Sequence, residues 1–138
     1  MKKLWTDGSA NPNPGPGGFA VIENGEPVRL GREEKSSNIR MEGKALIEAI
    51  KYAGDEPCMI YTDSEFWVNV LTKWAPTWKI NGWTKKKGEI KNLEIVKELY
   101  ELYITHEVEL VWTRGHVGTE MNELADEWAN RAREGEKS

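Results

Sequence analysis

A chain of 138 residues with 38% hydrophobic and 30% charged residues is long enough for one domain with a core and too short for two. The net charge of −4 excludes an evenly basic nucleic-acid-binding protein, so contact with nucleic acid needs a local patch. The only cysteine, Cys58, excludes an intramolecular disulfide, and no apolar run reaches the roughly 18 residues of a membrane span. We expect a cytoplasmic protein without membrane association, and a monomer at this length.

The first half of the chain predicts a strand, a hairpin and a long helix. A strand covers residues 2–7, and a second apolar run at 19–22 meets Asn24-Gly25, a strong hairpin signal. The returning strand covers 28–31 or a little more. Possible N-caps at 36–38 begin a helix that runs to about residue 53, before a Gly/Pro stop.

The second half alternates strands and helices. Its predicted elements are a strand at 59–62, a helix at 64–74, a Pro/Gly/Lys-rich excursion, a helix at 89–103, a strand at 108–113 and a helix at 119–133. This alternation implies parallel crossovers, and the hairpin adds antiparallel strands. We therefore predict an α/β fold with a mixed sheet flanked by helices, in a single domain over residues 1–133. Residues 134–138 form a polar tail.

Three apolar runs end in an aromatic residue, threonine and a charged residue. The sequences are Trp5-Thr6-Asp7, Tyr61-Thr62-Asp63 and Trp112-Thr113-Arg114. If these strands lie side by side, their polar ends gather at one edge of the sheet, where α/β folds place their sites. Asp7 and Asp63 are therefore candidate site residues. Turn chemistry is the alternative, because Asp before Gly or Ser is common in turns and helix N-caps.

Two further carboxylates lie on predicted helices. Glu42 falls within an apolar arc that includes Ala45 and Ala49, so a buried carboxylate there needs a cation or hydrogen-bond donors. A role at the helix dipole is the alternative for Glu42. Asp126 lies at the edge of an apolar arc, one turn after Asn122, and is either a boundary residue or a site residue.

Four carboxylates that converge on one sheet edge repel one another unless divalent cations lie among them. Oxygen ligands suit Mg²⁺ or Mn²⁺, and one cysteine with two histidines makes a zinc site improbable. Two such cations suit phosphodiester chemistry, in which one activates water and the other stabilises the leaving oxygen.

The segment from Lys73 to Lys91 is basic and aromatic. It has six lysines and one glutamate, a local charge of +5, and three of the seven tryptophans. Lysines interleaved with tryptophans favour contact with phosphates and with sugar or base faces. A solubilising loop is the alternative, and Trp74 also fits a core position on the amphipathic helix that precedes it.

Four motifs together resemble the type 1 ribonucleases H, enzymes that cut the RNA strand of RNA/DNA hybrids. The motifs are "TDGSANPNPGPGG", "IRMEGKAL", "IYTDSEFWV" and "RGHVGTEMNELADEWA", in that order and spacing. The resemblance covers nearly the whole chain and implies a ribonuclease H-like fold with a mixed five-stranded sheet. It implies an endonuclease with a two-metal mechanism that gives 5′-phosphate and 3′-hydroxyl products, largely independent of base sequence.

The same resemblance implies roles for particular residues. Asp7, Glu42, Asp63 and Asp126 match the metal-binding acids, with two Mg²⁺ ions for which Mn²⁺ can substitute, and His116 matches a loop histidine that assists proton transfer or product release. The residues assigned to RNA/DNA hybrid binding are Gly8, Asn13, Asn38, Glu65, Trp74, Trp78, Trp83, Lys85, Lys86, Lys87 and Asn122. The choice between Asn13 and Asn11 stays open.

Two residues depart from the pattern of many relatives. Ile39 replaces a groove asparagine and Glu65 replaces a glutamine, so weaker groove affinity or stronger cation dependence is expected. An integrase-like DNA nuclease and a non-catalytic hybrid-binding module are the alternative functions. The intact set of carboxylates argues against a pure binding module, because repelling carboxylates near phosphates do not help it bind.

Overall fold

Within residues 1–113 and 120–135, which the computed structural model describes, five strands form one mixed sheet. The strands are β1 (Lys2–Ala10), β2 (Gly15–Glu23), β3 (Glu26–Ser36), β4 (Cys58–Thr62) and β5 (Val108–Trp112). Their order across the sheet is β3-β2-β1-β4-β5. Neighbours from β3 to β1 are antiparallel, whereas β1, β4 and β5 are parallel. The predicted mixed sheet is confirmed.

Helices cover both faces of this sheet. They are α1 (Asn38–Ala53), α2 (Glu65–Asn69), α3 (Ala75–Ile80), α4 (Leu93–Thr105) and α5 (Glu120–Arg133). The larger core lies on the face of α1, α2 and α4, where Leu4, Leu46 and Trp67 are fully buried. On the opposite face α5 packs Ala125 and Ala129 against β2. None of the described helices has the length and hydropathy needed to cross a membrane.

The first strand is longer than predicted. The sequence indicates an end at Asp7 because glycine, proline and asparagine follow, but β1 continues to Ala10, which pairs with Gly17 of β2. Gly8 is therefore a strand residue and not a turn residue. The Gly/Pro-rich segment forms the connection after Ala10 and the start of β2, so β2 and β3 are also longer than their apolar runs indicate.

The basic segment, Lys73 to Lys91, begins in a helix. The predicted helix at 64–74 does not stop before Pro76: a π-helical turn over Val70–Trp74 connects α2 to α3, and the Ala75 N–H donates to the Val70 carbonyl. A proline ring crowds the carbonyl four residues earlier, and the wider turn relieves that crowding. The helix predicted at 89–103 instead begins at Leu93, because Asn92 has a left-handed backbone with φ of 56°.

Candidate active site

The ends of β1, β4 and β5 meet at one edge of the sheet, as the sequence predicts. Trp5 is level with Tyr61, and Thr62 is level with Trp112. The rings of Trp5 and Tyr61 stack with their centroids 4.2 Å apart. Because the parallel strands run in register, Asp7 and Asp63 emerge at the same edge.

Glu42 reaches this edge because α1 lies directly on β1. A Cβ atom built on Gly8 would lie 2.4 Å from the carbonyl carbon of Met41 and 2.5 Å from the amide nitrogen of Glu42. Only glycine allows so close an approach of helix and strand backbones. The contact places Glu42 beside Asp7, which precedes the glycine.

The segment that carries Asp63 is held by its neighbours. The Ser64 N–H donates to Thr62 Oγ1 over 3.1 Å, and Ser64 Oγ accepts from the Trp67 N–H over 3.2 Å. The Trp112 indole N–H donates to the Asp63 carbonyl over 3.3 Å. Ser64, and not Asp63, is thus the N-cap of α2. The N-cap interpretation of Asp63 is wrong.

Three carboxylates come together at this edge. One oxygen each of Asp7, Glu42 and Asp63 lies within 4.8 Å of the other two. Asp7 is 4% exposed, and its Oδ2 is buried without a hydrogen-bond partner in the described part of the chain. Glu42 lies beyond the first turn of α1, which begins at Asn38, so the helix-dipole alternative does not explain it.

The pKa values of two carboxyl groups reflect this crowding. The pKa of Asp7 is raised from 3.8 to about 9, first by burial and then by its neighbours, led by the charge of Asp63. The pKa of Glu42 is raised from 4.5 to about 7 by burial and by Asp63, while a hydrogen bond with Ser64 opposes the increase. The cluster therefore holds protons at neutral pH unless a cation replaces them.

Asp126 approaches Asp7 from the other face of the sheet. It lies on α5, and a hydrogen bond with its carboxyl group and its charge are among the causes that raise the pKa of Asp7. Two carboxyl groups can share such a bond only when one carries the proton. Asp126 is not in the 4.8 Å group with the other three acids. Its position beside Asp7 makes it a candidate ligand for a second cation.

The donor set fits divalent cations. Every candidate ligand is a carboxylate oxygen, and the buried Asp7 Oδ2 needs a positive partner. Hard oxygen donors of this kind suit Mg²⁺ and Mn²⁺. A cation would also remove the mutual repulsion that raises the pKa of Asp7.

Two asparagines assigned to the substrate lie together at the start of α1. Asn38 Oδ1 accepts from the Ala10 N–H over 2.7 Å, and Asn13 Oδ1 accepts from the Asn38 N–H over 3.1 Å. This contact brings Asn13, rather than Asn11, to the start of α1. Glu65 is exposed at the start of α2, and Asn122 is buried on α5, one turn before Asp126.

An apolar groove leads from the start of α1 to the basic segment. Its volume is about 370 Å³, and its lining includes Ile39, Phe66, Trp74, Trp78 and Lys85. Trp74 is 40% exposed, and its ring lies 6.1 Å from that of Trp78. The interpretation of Trp74 as a core residue is therefore wrong, because the π-helical turn places its ring at the wall of the groove.

The other residues of the basic segment that were assigned to substrate binding differ in their exposure. Trp83 packs edge-on against Tyr100 of α4, with ring centroids 6.1 Å apart, so part of its surface supports the fold. Lys85, Lys86 and Lys87 are exposed. His116 lies outside the described residues.

Sequence reasoning overlooked Ser64 as a residue of the site. Its hydroxyl caps α2, and Ser64 also lies close enough to Glu42 to lower the pKa of that carboxyl group. A serine just before a helix could have been recognised as an N-cap. Its second contact depends on the tertiary packing of α1 and could not have been predicted.

Comparison with known proteins decides the family. The family model described as RNase H matches residues 1–134. The chain belongs to the ribonuclease H family. A ribonuclease H of Dichelobacter nodosus is 42% identical over 135 residues, which cover 94% of this chain and 89% of the relative. A ribonuclease H of Bordetella pertussis is 40% identical over 138 residues, covering 96% of this chain and 88% of the relative.

Solved ribonuclease H structures have the same fold. LC9-RNase H1, described as a type 1 RNase H with the type 2 active-site motif, superposes with a TM-score of 0.76 at 27% identity, covering 99% of this chain and 74% of that one. The PFV RNase H domain superposes with a TM-score of 0.75 at 23% identity, covering 97% and 94%, and shows the fold alone. The predicted family, the fold and the assignment as a ribonuclease H enzyme are confirmed.

Proposed function

We propose that the protein is an endonuclease that hydrolyses the RNA strand of RNA/DNA hybrids with two bound Mg²⁺ ions, for which Mn²⁺ can substitute. The observation that carries the proposal is the group of three carboxylate oxygens within 4.8 Å of one another, with a buried and unpartnered oxygen on Asp7. Membership of the ribonuclease H family supports the choice of substrate.

The four acids would together bind the two cations. Asp7 is grouped with Glu42 and Asp63 and is also a neighbour of Asp126, so it would be the ligand shared by both ions. Two Mg²⁺ ions, when bound, supply an activated water and neutralise the charge of the leaving oxygen. Ser64, which lowers the pKa of Glu42, would help to hold that carboxylate in place.

The reaction is a displacement at the scissile phosphorus. The oxygen of water bonds to phosphorus and water releases a proton, the bond from phosphorus to the 3′ oxygen breaks, and the 3′ oxygen takes up a proton. The products carry a 5′-phosphate and a 3′-hydroxyl. His116 is proposed to assist this proton transfer or product release.

Substrate binding would use both ends of the groove. Asn13 and Asn38 would contact the 2′-hydroxyls of an RNA strand bound at the carboxylates, and Gly8, Glu65 and Asn122 would also contact the hybrid. The rings of Trp74 and Trp78 and the lysines of the basic segment suit the DNA strand. Recognition of this kind depends little on base sequence. Cys58, a free and buried thiol, fits the reducing cytoplasm, and we expect a monomer.

Labelled duplexes test the proposal directly. RNA/DNA, RNA/RNA and DNA/DNA duplexes are incubated with Mg²⁺ or with EDTA, and the strands and their ends are analysed. We expect cleavage of RNA in the hybrid alone, lost with EDTA. Cleavage of DNA would favour an integrase-like nuclease, and hybrid binding without cleavage would favour a binding module.

A further inference from the structure

Ser9, Asn130 and Arg133 form a polar cluster between β1 and the end of α5. Ser9 Oγ donates to Asn130 Oδ1 over 3.2 Å, and Arg133 Nη1 donates to the same oxygen over 2.7 Å. Arg133 Nη1 also lies 3.4 Å from Ser9 Oγ. The carbonyl of Arg133 accepts from Arg32 Nε of β3 over 2.8 Å, so the cluster connects α5 to two strands.

This polar cluster lies one turn of α5 beyond the pair of acids Asp7 and Asp126. Ser9 follows Asp7 by two residues on the same face of β1, and Asn130 follows Asp126 by four residues on the same side of α5. The strand and the helix are thus joined by two successive contacts. The first is the pair Asp7–Asp126, and the second is the cluster of Ser9, Asn130 and Arg133.

The acid pair and the polar cluster differ in their electrostatics. Two carboxyl groups repel each other whenever both are ionised, so the Asp7–Asp126 pair is a weak connection between α5 and β1. The polar cluster contains a hydrogen-bond donor, an acceptor and the cationic side chain of Arg133, which is 16% exposed. It keeps the helix close to the strand whether or not the acids are neutralised.

The backbones are closely packed at the same place. A Cβ atom on Gly18 of β2 would lie 2.5 Å from the Ala129 carbonyl oxygen and 2.3 Å from the Arg133 amide nitrogen. A small movement of α5 away from the sheet would therefore break the hydrogen bonds of the polar cluster and move Asp126 away from Asp7. The position of Asp126 depends on this packing and on the cluster beside it.

We propose that Ser9, Asn130 and Arg133 are positioning residues that hold α5 so that Asp126 and Asp7 can share a divalent cation. The inference rests on the proposed function. None of the three residues needs to contact the cation or the substrate. Their effect reaches the metal centre through Asp126.

Metal binding to the whole protein tests the inference. Titration calorimetry with Mn²⁺ or Mg²⁺ alone is performed on Asn130→Ala and Arg133→Met, and the cleavage rate is measured against Mg²⁺ concentration. We expect metal affinity about tenfold weaker, as for other residues that orient ligands. Cleavage should recover at high Mg²⁺, with the KM for hybrid unchanged. Ser9→Thr, which keeps the hydroxyl, should bind metal like the wild type.

Two comparisons separate positioning from general stability. Arg131→Met removes the same charge from the outer face of α5, where Arg131 pairs with Glu127, and should leave metal affinity unchanged. In an Asp126→Asn background, Asn130→Ala should not weaken the remaining metal affinity further, because its effect acts through Asp126. A lower Tm with unchanged metal affinity in Asn130→Ala and Arg133→Met would overturn the inference.

The outcomes also separate this inference from the proposed function. If the wild type binds no divalent cation or cleaves no hybrid, the proposed function fails. If the wild type does both and the variants bind metal equally well, only the positioning role fails. Ser9→Ala removes a single hydroxyl and provides the same comparison if the larger substitutions prevent folding.

Discussion

Asp7 is the residue with the least favourable surroundings in the described part of the chain. It is 4% exposed, has other carboxylates as neighbours and has a pKa of about 9. A buried carboxylate without a positive partner costs several kcal/mol. Asp7 therefore opposes folding in its ionised form and stabilises the fold only when protonated or bound to a cation.

This position of Asp7 predicts how stability depends on pH without metal. Its pKa is raised in the folded protein, so its contribution is fully present below pH 3.8 and is lost as pH rises to about 9. Glu42 adds a loss between pH 4.5 and about 7. In EDTA we expect the free energy of unfolding, measured with urea, to fall from pH 5 to pH 9. Asp7→Asn should reduce this decline.

Cleavage and folding should separate in the same variant. Asp7→Asn should abolish hybrid cleavage in Mg²⁺ and still fold and bind hybrid, because the amide keeps the size of the side chain and removes the charge. Asp55→Asn, at an exposed position after α1, is the matched control and should keep full activity. Near-wild-type cleavage by Asp7→Asn would contradict the two-metal mechanism.

At the scale of elements, the site depends on the contact of α1 with β1. The helix lies over Gly8 so closely that backbone atoms of Met41 and Glu42 occupy the place of a side chain. On the same helix, a Cβ atom on Gly43 would lie 2.5 Å from the Trp67 ring, whose Nε1 donates to the Ile39 carbonyl over 2.7 Å. These contacts fix α1 relative to β1, which carries Asp7, and to α2, which begins two residues after Asp63.

Gly8→Ala should therefore damage the site without adding a charge. The methyl group collides with backbone that cannot rotate away, and we expect a loss of about 1–3 kcal/mol in the free energy of unfolding. Because Glu42 moves with the helix, we also expect about 100-fold slower cleavage, the order associated with a 1 Å displacement in an active site. Urea unfolding and the cleavage rate measure the two effects.

Gly31→Ala is the matched control on β3. Its added Cβ would meet the outer end of the Phe19 ring, at 2.1 Å, and not backbone. Because a ring can move, Gly31→Ala should lose less stability and cleave hybrid almost as fast as the wild type. Equal effects of the two substitutions on cleavage would show that the approach over Gly8 has no special role.

The elements that could be predicted are those with a local pattern. Apolar runs and caps predicted the order of elements and the shared edge of β1, β4 and β5. The end of β1 was wrong, because Gly8 and the prolines favour a turn locally whereas pairing of Ala10 with Gly17 extends the strand. The approach of Ser64 to Glu42 and the contact of Asn130 with Ser9 could not be predicted, because the partner of a polar side chain is unknown until the neighbouring element is placed.

On the scale of the whole molecule, the charges are separated. The chain carries −4 overall, yet the segment from Lys73 to Lys91 carries +5. The acidic cluster lies at the sheet edge, and the apolar groove from Ile39 to Lys85 connects its surroundings to the basic segment. This separation of charge supports the proposal that the lysines hold the hybrid while its RNA strand lies at the acids, although the protein as a whole is acidic.

Replacement of Lys85, Lys86 and Lys87 by alanine tests this division of charge. Each phosphate contact adds about one unit to the slope of log affinity against log salt. We expect weaker hybrid binding and a slope that is flatter by up to about three units. Binding is measured by fluorescence anisotropy over a range of salt concentrations, with Ca²⁺ or EDTA to prevent cleavage.

The control must remove one positive charge from a lysine that is also exposed but lies away from the groove. Lys3→Ala meets this requirement against Lys86→Ala, because Lys3 is also exposed but lies near the start of β1, at the opposite end of the strand from Asp7. Loss of general attraction alone would change the salt slope equally in both variants. A phosphate contact at the basic segment changes it only in Lys86→Ala, and an unchanged slope in the triple variant would exclude these lysines from phosphate binding.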